Sequence, residues 1–149
     1  MSPIAQFFHN VVLHATVTGW VTAQAIKVIL AVRQERRFDF RWFVGTGGMP
    51  SAHSAGVSAL AIGVGIEEGF QTPLFAIALM FALVTMFDAQ GVRRSAGRQA
   101  IALNRIFDEL YVRGQISEEP LKELIGHTPV EVITGSLIGA GVAMLICLG

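Results

Sequence analysis

Two histidines in this chain sit where proton transfer and anion binding can meet. His53 belongs to Gly45-Thr46-Gly47-Gly48-Met49-Pro50-Ser51-Ala52-His53-Ser54, a glycine-rich run closed by a proline and followed by an apolar stretch. Glycines let a backbone approach an anion closely, and a helix start offers unpaired N–H groups at the positive end of its dipole. His127 belongs to Gly126-His127-Thr128-Pro129, directly before another apolar stretch, with Glu131 four residues further on. If that helix reaches back to His127, the i,i+4 spacing puts both on one face. A carboxylate so placed holds an imidazole in one tautomer and stabilises its cation.

These groups suit phosphate-ester chemistry. One imidazole attacks phosphorus and splits a hard displacement into two easier ones. The other protonates the leaving alkoxide. Arginines and backbone N–H groups neutralise the equatorial oxygens, and with arginines in that role no metal or other cofactor is required. Other readings stay open from the residues alone. Glycine-rich runs also serve simply as turns, and membrane-edge histidines are often plain interfacial residues, which is the reading for His9 and His14. Lys27, Asp88 and Glu131 are functional candidates because a charge within or beside an apolar span is costly. Lys27, close to a basic segment, also has the option of snorkelling to the surface.

The elements that must position these residues are apolar. Of 149 residues 52% are hydrophobic and only 15% charged, with a mean hydropathy of +0.56. A soluble domain carries about 25% charged residues, so an integral membrane protein is expected. The length places residues 1–149 in one domain. Zero formal net charge argues against a nucleic-acid partner. The single cysteine, Cys147, can form no internal disulfide, and no Cys/His pattern suggests a metal site. No Lys or Arg precedes the first apolar run, so a removable signal peptide is not expected.

A bilayer span takes about 20 mostly apolar residues. Four candidates run over residues 11–32, 52–66, 73–87 and 130–148. Gly135 and Gly139, four apart, can let two membrane helices pack closely, although such spacings also arise by chance in glycine-rich spans. Between the third and fourth spans, residues 94–110 carry Ala96, Ala100, Leu103, Phe107 and Leu110 on one helical face. Arg94, Arg98, Arg105 and Glu109 fall on the opposite face. This amphipathic helix either lies in the membrane interface or covers the bundle. Ser117 is a candidate cap for a further helical turn. The expected fold is all-α: an integral membrane bundle of about four transmembrane helices plus the amphipathic helix. Such a bundle is thin and compatible with a homo-oligomer.

Basic residues orient it. Arg33, Arg36, Arg37 and Arg41 follow the first span, and Arg93, Arg94, Arg98, Arg105, Arg113 and Lys122 follow the third. Residues 1–10, the Glu67-Glu68-Gly69 turn and the C-terminus hold no Lys or Arg. The positive-inside rule makes the basic side cytoplasmic. His53 and His127 both fall on that side, here the cytoplasmic face of the plasma membrane.

Pro50-Ser51-Ala52-His53-Ser54 resembles the Pro-Ser-x-His element of the type-2 phosphatidic acid phosphatase and vanadium haloperoxidase superfamily. The run from His127 through Glu131 to Gly135 resembles its His-x-x-x-Asp element, with Glu in place of Asp. The whole chain is similar to the divergent branch of small membrane proteins in that superfamily, whose added signature matches Phe87-Asp88-Ala89-Gln90-Gly91-Val92-Arg93-Arg94-Ser95-Ala96-Gly97-Arg98-Gln99-Ala100. The resemblance implies a metal-free phosphatase with His127 as nucleophile, His53 as general acid, Glu131 orienting His127 and Ser51 binding phosphate. Gly47, Gly48 and Lys27 join the phosphate site, with Asp88 in support. Two departures stand out. Lys27 is followed by Arg33 without a proline, one residue earlier than the superfamily spacing, and Leu121 occupies the place of an expected arginine. Arg93, Arg94 or Arg98 is expected to supply the missing contacts. The substrate is then a phosphorylated membrane lipid: phosphatidic acid, phosphatidylglycerol phosphate or a polyprenyl phosphate. The alternatives are an inactive lipid- or phosphate-binding protein of the same fold and, with too few spans to stand alone, a transporter or channel subunit.

Overall fold

The four long apolar helices each begin at a polar cap. The computed structural model describes residues 2–43, 48–112 and 127–149, giving backbone alone for Arg41, Phe43 and residues 92–94, 96, 98 and 108–112. After a short α1 (Pro3–Phe8), Asn10 opens α2 (Val11–Glu35) by accepting the Leu13 N–H at 2.9 Å. Arg36 ends α2 in the left-handed region, and a single 3-10 turn follows at Phe40–Phe43. Ser51 caps α3 (Ala52–Glu68), Thr72 caps α4 (Pro73–Gln90) and Thr128 caps α6 (Pro129–Leu148). Each cap oxygen satisfies one of the orphan N–H groups of a first turn, and the prolines at 73 and 129 sit where no N–H is needed. Helix α5 (Val92–Val112) follows α4 across Gly91.

Helices α2, α4 and α6 are long and apolar enough to cross a membrane. Helix α3, at 17 residues, is about 26 Å long by helical rise, and it runs between the others. It packs against α2, α4 and α6, and most of its residues are buried: Ala52, Ser54, Ala55, Gly56, Ser58, Ala59, Ala61, Gly63, Val64 and Gly65. The span drawn at 52–66 is therefore the inner helix of the bundle rather than one facing lipid.

Small residues make that burial feasible. A Cβ on Gly135 would collide with the Ser51 carbonyl, and one on Gly139 would collide with the Ala55 carbonyl. On the α2 side, a Cβ at Gly19 would come within 3.0 Å of the Ala59 Cβ and 3.6 Å of the Gly139 Cα. Three helices thus meet backbone to backbone, the arrangement in which dispersion stabilises membrane helices without water to drive them together. The close packing anticipated at Gly135 and Gly139 is present. Large apolar side chains point away from this contact, such as Phe87 on α4 and Leu145 on α6, which are 74% and 79% exposed. A bilayer accommodates such faces at no hydrophobic cost.

Among the described residues, α5 touches only α4. It does not cover the α2–α3–α6 contact. Ser117 lies outside the described residues.

Candidate active site at the basic end of the bundle

Two backbone hydrogen bonds draw three helix ends together. The His127 N–H donates to the Ala89 carbonyl at 3.1 Å, joining the start of α6 to the end of α4. The Ser51 N–H donates to the Glu131 carbonyl at 3.0 Å, joining the start of α3 to α6. His53 and His127 therefore lie at one end of the bundle, the end where α2 finishes in Arg33 and Arg36 and α5 begins with its arginines.

His127 is 3% exposed. Its Nδ1–H donates to Glu131 Oε2 at 3.1 Å. The route to this contact differs from the expected helical one, because α6 starts only at Pro129 and His127 precedes it. Glu131 is the third residue of a capping box: Thr128 Oγ1 accepts the Glu131 N–H, and Glu131 Oε2 accepts the Thr128 N–H at 2.9 Å. One carboxylate oxygen thus closes the helix start and fixes the imidazole. With Nδ1 committed as a donor, chemistry at this ring falls to Nε2.

Lys27 approaches from α2. The Glu131 carboxylate is near enough to act electrostatically on its ammonium. Its aliphatic stem packs on Gly48, where a Cβ would stand 3.3 Å from Lys27 Cδ. Gly48 adopts a φ of +85°, a conformation that suits glycine. Lys27, Arg33, Gln34, Gly48 and Met49, with Leu30 and Ala31, line an open groove of about 520 Å³. Two cations beside the Gly48 backbone make an anion-accepting surface.

Ser51 is fully buried, and its hydroxyl accepts the Ser54 N–H at 3.3 Å and the Ser54 hydroxyl at 2.9 Å. His53 is exposed on another face of α3, with Gly56, Val57 and Leu60, whereas Ser51 and Ala55 face α6. Asp88 is half-buried in the last turn of α4, beside the Ala89 carbonyl that holds His127. Arg93, Arg94 and Arg98 fall in the first two turns of α5, and their side chains, like Gly47 and Leu121, lie outside the described residues. At the far end, His14 Nε2–H donates to the Phe8 carbonyl at 2.7 Å, apart from the site. Among the described residues, no three His, Cys, Asp or Glu side chains gather as a metal would require.

Gln24 escaped notice in the sequence. It is buried on α2, one turn before Lys27, and its Nε2 donates to the Trp42 carbonyl at 2.9 Å. It fastens the 3-10 turn that leads into the glycine run. An uncharged amide inside an apolar span is the signal that pointed to it, since such a group needs a partner in hydrocarbon.

A family model described as the divergent PAP2 family matches residues 8–142, nearly the full length of the bundle. The chain belongs to the divergent PAP2 family. It is 40% identical over 141 residues to the uncharacterized membrane protein YuiD of Bacillus subtilis, an alignment covering 87% of this chain and 89% of that relative. No solved structure matches it. For a divergent PAP2 protein, the residues matching the two histidine elements stand at one end of the bundle, where Lys27 packs on Gly48 and the Glu131 carboxylate acts electrostatically on its ammonium.

Proposed function

We propose that this divergent PAP2 protein is an integral membrane phosphatase that hydrolyses a lipid phosphate monoester or pyrophosphate at the cytoplasmic face of the plasma membrane. The observation that carries the reading is the buried His127 imidazole tied through Nδ1 to Glu131 Oε2 at 3.1 Å, a carboxylate that also acts electrostatically on Lys27. An imidazole so oriented is a nucleophile in waiting, because the carboxylate stabilises the positive charge the ring acquires on attack.

In the proposed reaction His127 Nε2 bonds to phosphorus as the bond to the lipid oxygen breaks. The departing alkoxide takes a proton from His53. Water, giving a proton back to His53, then attacks phosphorus, the N–P bond breaks and inorganic phosphate leaves. Lys27 and the α5 arginines balance the phosphoryl oxygens, where most of the stabilisation in phosphoryl transfer arises. Phosphatidic acid, phosphatidylglycerol phosphate and polyprenyl phosphates all meet the requirement of a phosphate head on an apolar tail. The basic loops support the cytoplasmic placement.

The sealed Ser51 hydroxyl favours a second reading, a phosphate- or lipid-binding protein without turnover, because Ser51 serves as a helix cap rather than an open ligand. Phosphate release from lipid substrates by the purified protein in detergent separates the two. The phosphatase reading expects release that falls by on the order of 10³-fold or more in His127→Ala. Equal release from both proteins removes His127 as nucleophile, and vanadate binding without turnover favours the binding protein.

A further inference from the structure

His53 opens onto a second, quite different space. Thr16, Val17 and Trp20 of α2, Gly56, Val57 and Leu60 of α3, and Phe81 of α4 line, together with His53, a pocket of about 270 Å³. Its exposed wall is apolar: the Thr16 hydroxyl is spent on the Val12 carbonyl at 2.8 Å, and the Trp20 indole and the His53 ring present carbon to the space. Gly56 shapes it: a Cβ there would stand 3.5 Å from the Trp20 Cβ and 3.7 Å from Cδ1, so the indole lies against the α3 backbone. A larger side chain at 56 would displace the indole and fill the space.

We infer that this pocket seats one hydrocarbon chain of the lipid whose phosphate is held at the basic end, with His53 at the junction between chain and head. It rests on the phosphatase reading only for the identity of the head group. Two observations fix the occupant. The lining belongs to two membrane-crossing helices and the inner α3, so the pocket opens toward hydrocarbon. The one side chain in the wall able to carry charge is His53, two residues from the Ser51 backbone that is bonded to Glu131. A lipid with its chain here leads its ester oxygen past His53, where a leaving alkoxide needs its proton.

The test uses the full-length protein in phosphatidylcholine vesicles and a phosphatidic acid carrying a photoactivatable diazirine in one acyl chain. Irradiation and peptide mapping are expected to place the label on the segments holding Trp20, Leu60 and Phe81. Excess unlabelled phosphatidic acid should remove that label, and excess phosphatidylcholine should not. Gly56→Leu should lower it about tenfold, equivalent to about 1.4 kcal/mol of affinity. Leu60→Trp narrows the same pocket from the α3 side and serves if Gly56→Leu does not fold. Label spread evenly over lipid-facing positions such as Leu137 and Leu145, or label indifferent to both substitutions, overturns the inference. The readout needs no turnover. Specific labelling without phosphate release would leave the pocket standing and fell the phosphatase reading. Release without specific labelling would do the reverse.

Discussion

Glu131 Oε2 accepts two hydrogen bonds at once, from His127 Nδ1 at 3.1 Å and from the Thr128 N–H at 2.9 Å. Structure and proposed chemistry share one oxygen, and substitution can separate them. Gln is an accepted third residue of a capping box, so Glu131→Gln keeps an acceptor for the Thr128 N–H. It cannot stabilise an imidazolium. We expect a thermal midpoint within a few degrees of the parent protein and a fall in kcat of about 10²- to 10⁴-fold. A fall in the midpoint that accounts for the whole loss of activity would show Glu131 to be a cap alone.

The helix contact around Gly139 gives a prediction independent of function. Gly139→Ala drives a methyl into the Ala55 carbonyl, whereas nothing lies within 4 Å of a Cβ at Gly141 on the same helix. Overpacking of this kind costs about 1–3 kcal/mol. Gly139→Ala is expected to lower the unfolding midpoint in detergent well below that of the parent, and Gly141→Ala to leave it unchanged or raise it slightly. Equal midpoints for the two variants would contradict the backbone contact.

Much of this bundle was legible because apolar runs were bounded by unambiguous punctuation. The apolar runs drawn from residues 52, 73 and 130 start within one residue of the observed helices, directly behind the caps Ser51, Thr72 and Thr128. The pairing of His127 with Glu131 was legible from spacing, but its cause was not. A four-residue interval fits a helical face and fits equally a residue that precedes a capping box, and only the helix boundary at Pro129 separates them. The inner position of α3 was hidden because hydropathy measures how apolar a segment is, not whether lipid or protein covers it. The facing of His53 was hidden for a related reason. Helical phase sets which residues lie together, while the neighbour each face meets depends on the packing of other helices. Gln24 and Trp42 form a pair 18 residues apart across a turn, and no local pattern encodes such a partner.

That Gln24–Trp42 bond is expected to control the approach to the site. Gln24→Leu removes the donor to the Trp42 carbonyl and leaves that carbonyl unsatisfied, a loss of about 1–3 kcal/mol if it stays buried. Because the bond ties down the turn before the glycine run rather than any reacting group, the loss should appear mainly in KM for a lipid phosphate. Proteolysis between residues 37 and 48 should also become faster. Unchanged KM and unchanged proteolysis would mean that the turn is held by other contacts.

Lys27 and Arg33 line the same groove, but Arg33 is exposed whereas Lys27 is half-buried and feels the Glu131 carboxylate. Their substitutions should therefore differ in kind. Arg33→Met removes a cation from the exposed rim, so it is expected to weaken vanadate binding two- to threefold, with the effect shrinking as salt screens it. Lys27→Met removes a half-buried cation and leaves the Glu131 carboxylate without that compensation, so vanadate binding is expected to fall about tenfold or more with little salt dependence. Lys27→Arg keeps the charge but places a planar fork where a narrow stem lies on Gly48, and it should restore binding only in part. Titration of each variant with vanadate at low and high salt checks the set. If Lys27→Met and Arg33→Met prove indistinguishable at both salt concentrations, Lys27 acts as a surface charge like any other, and its closeness to Glu131 plays no part in holding the anion.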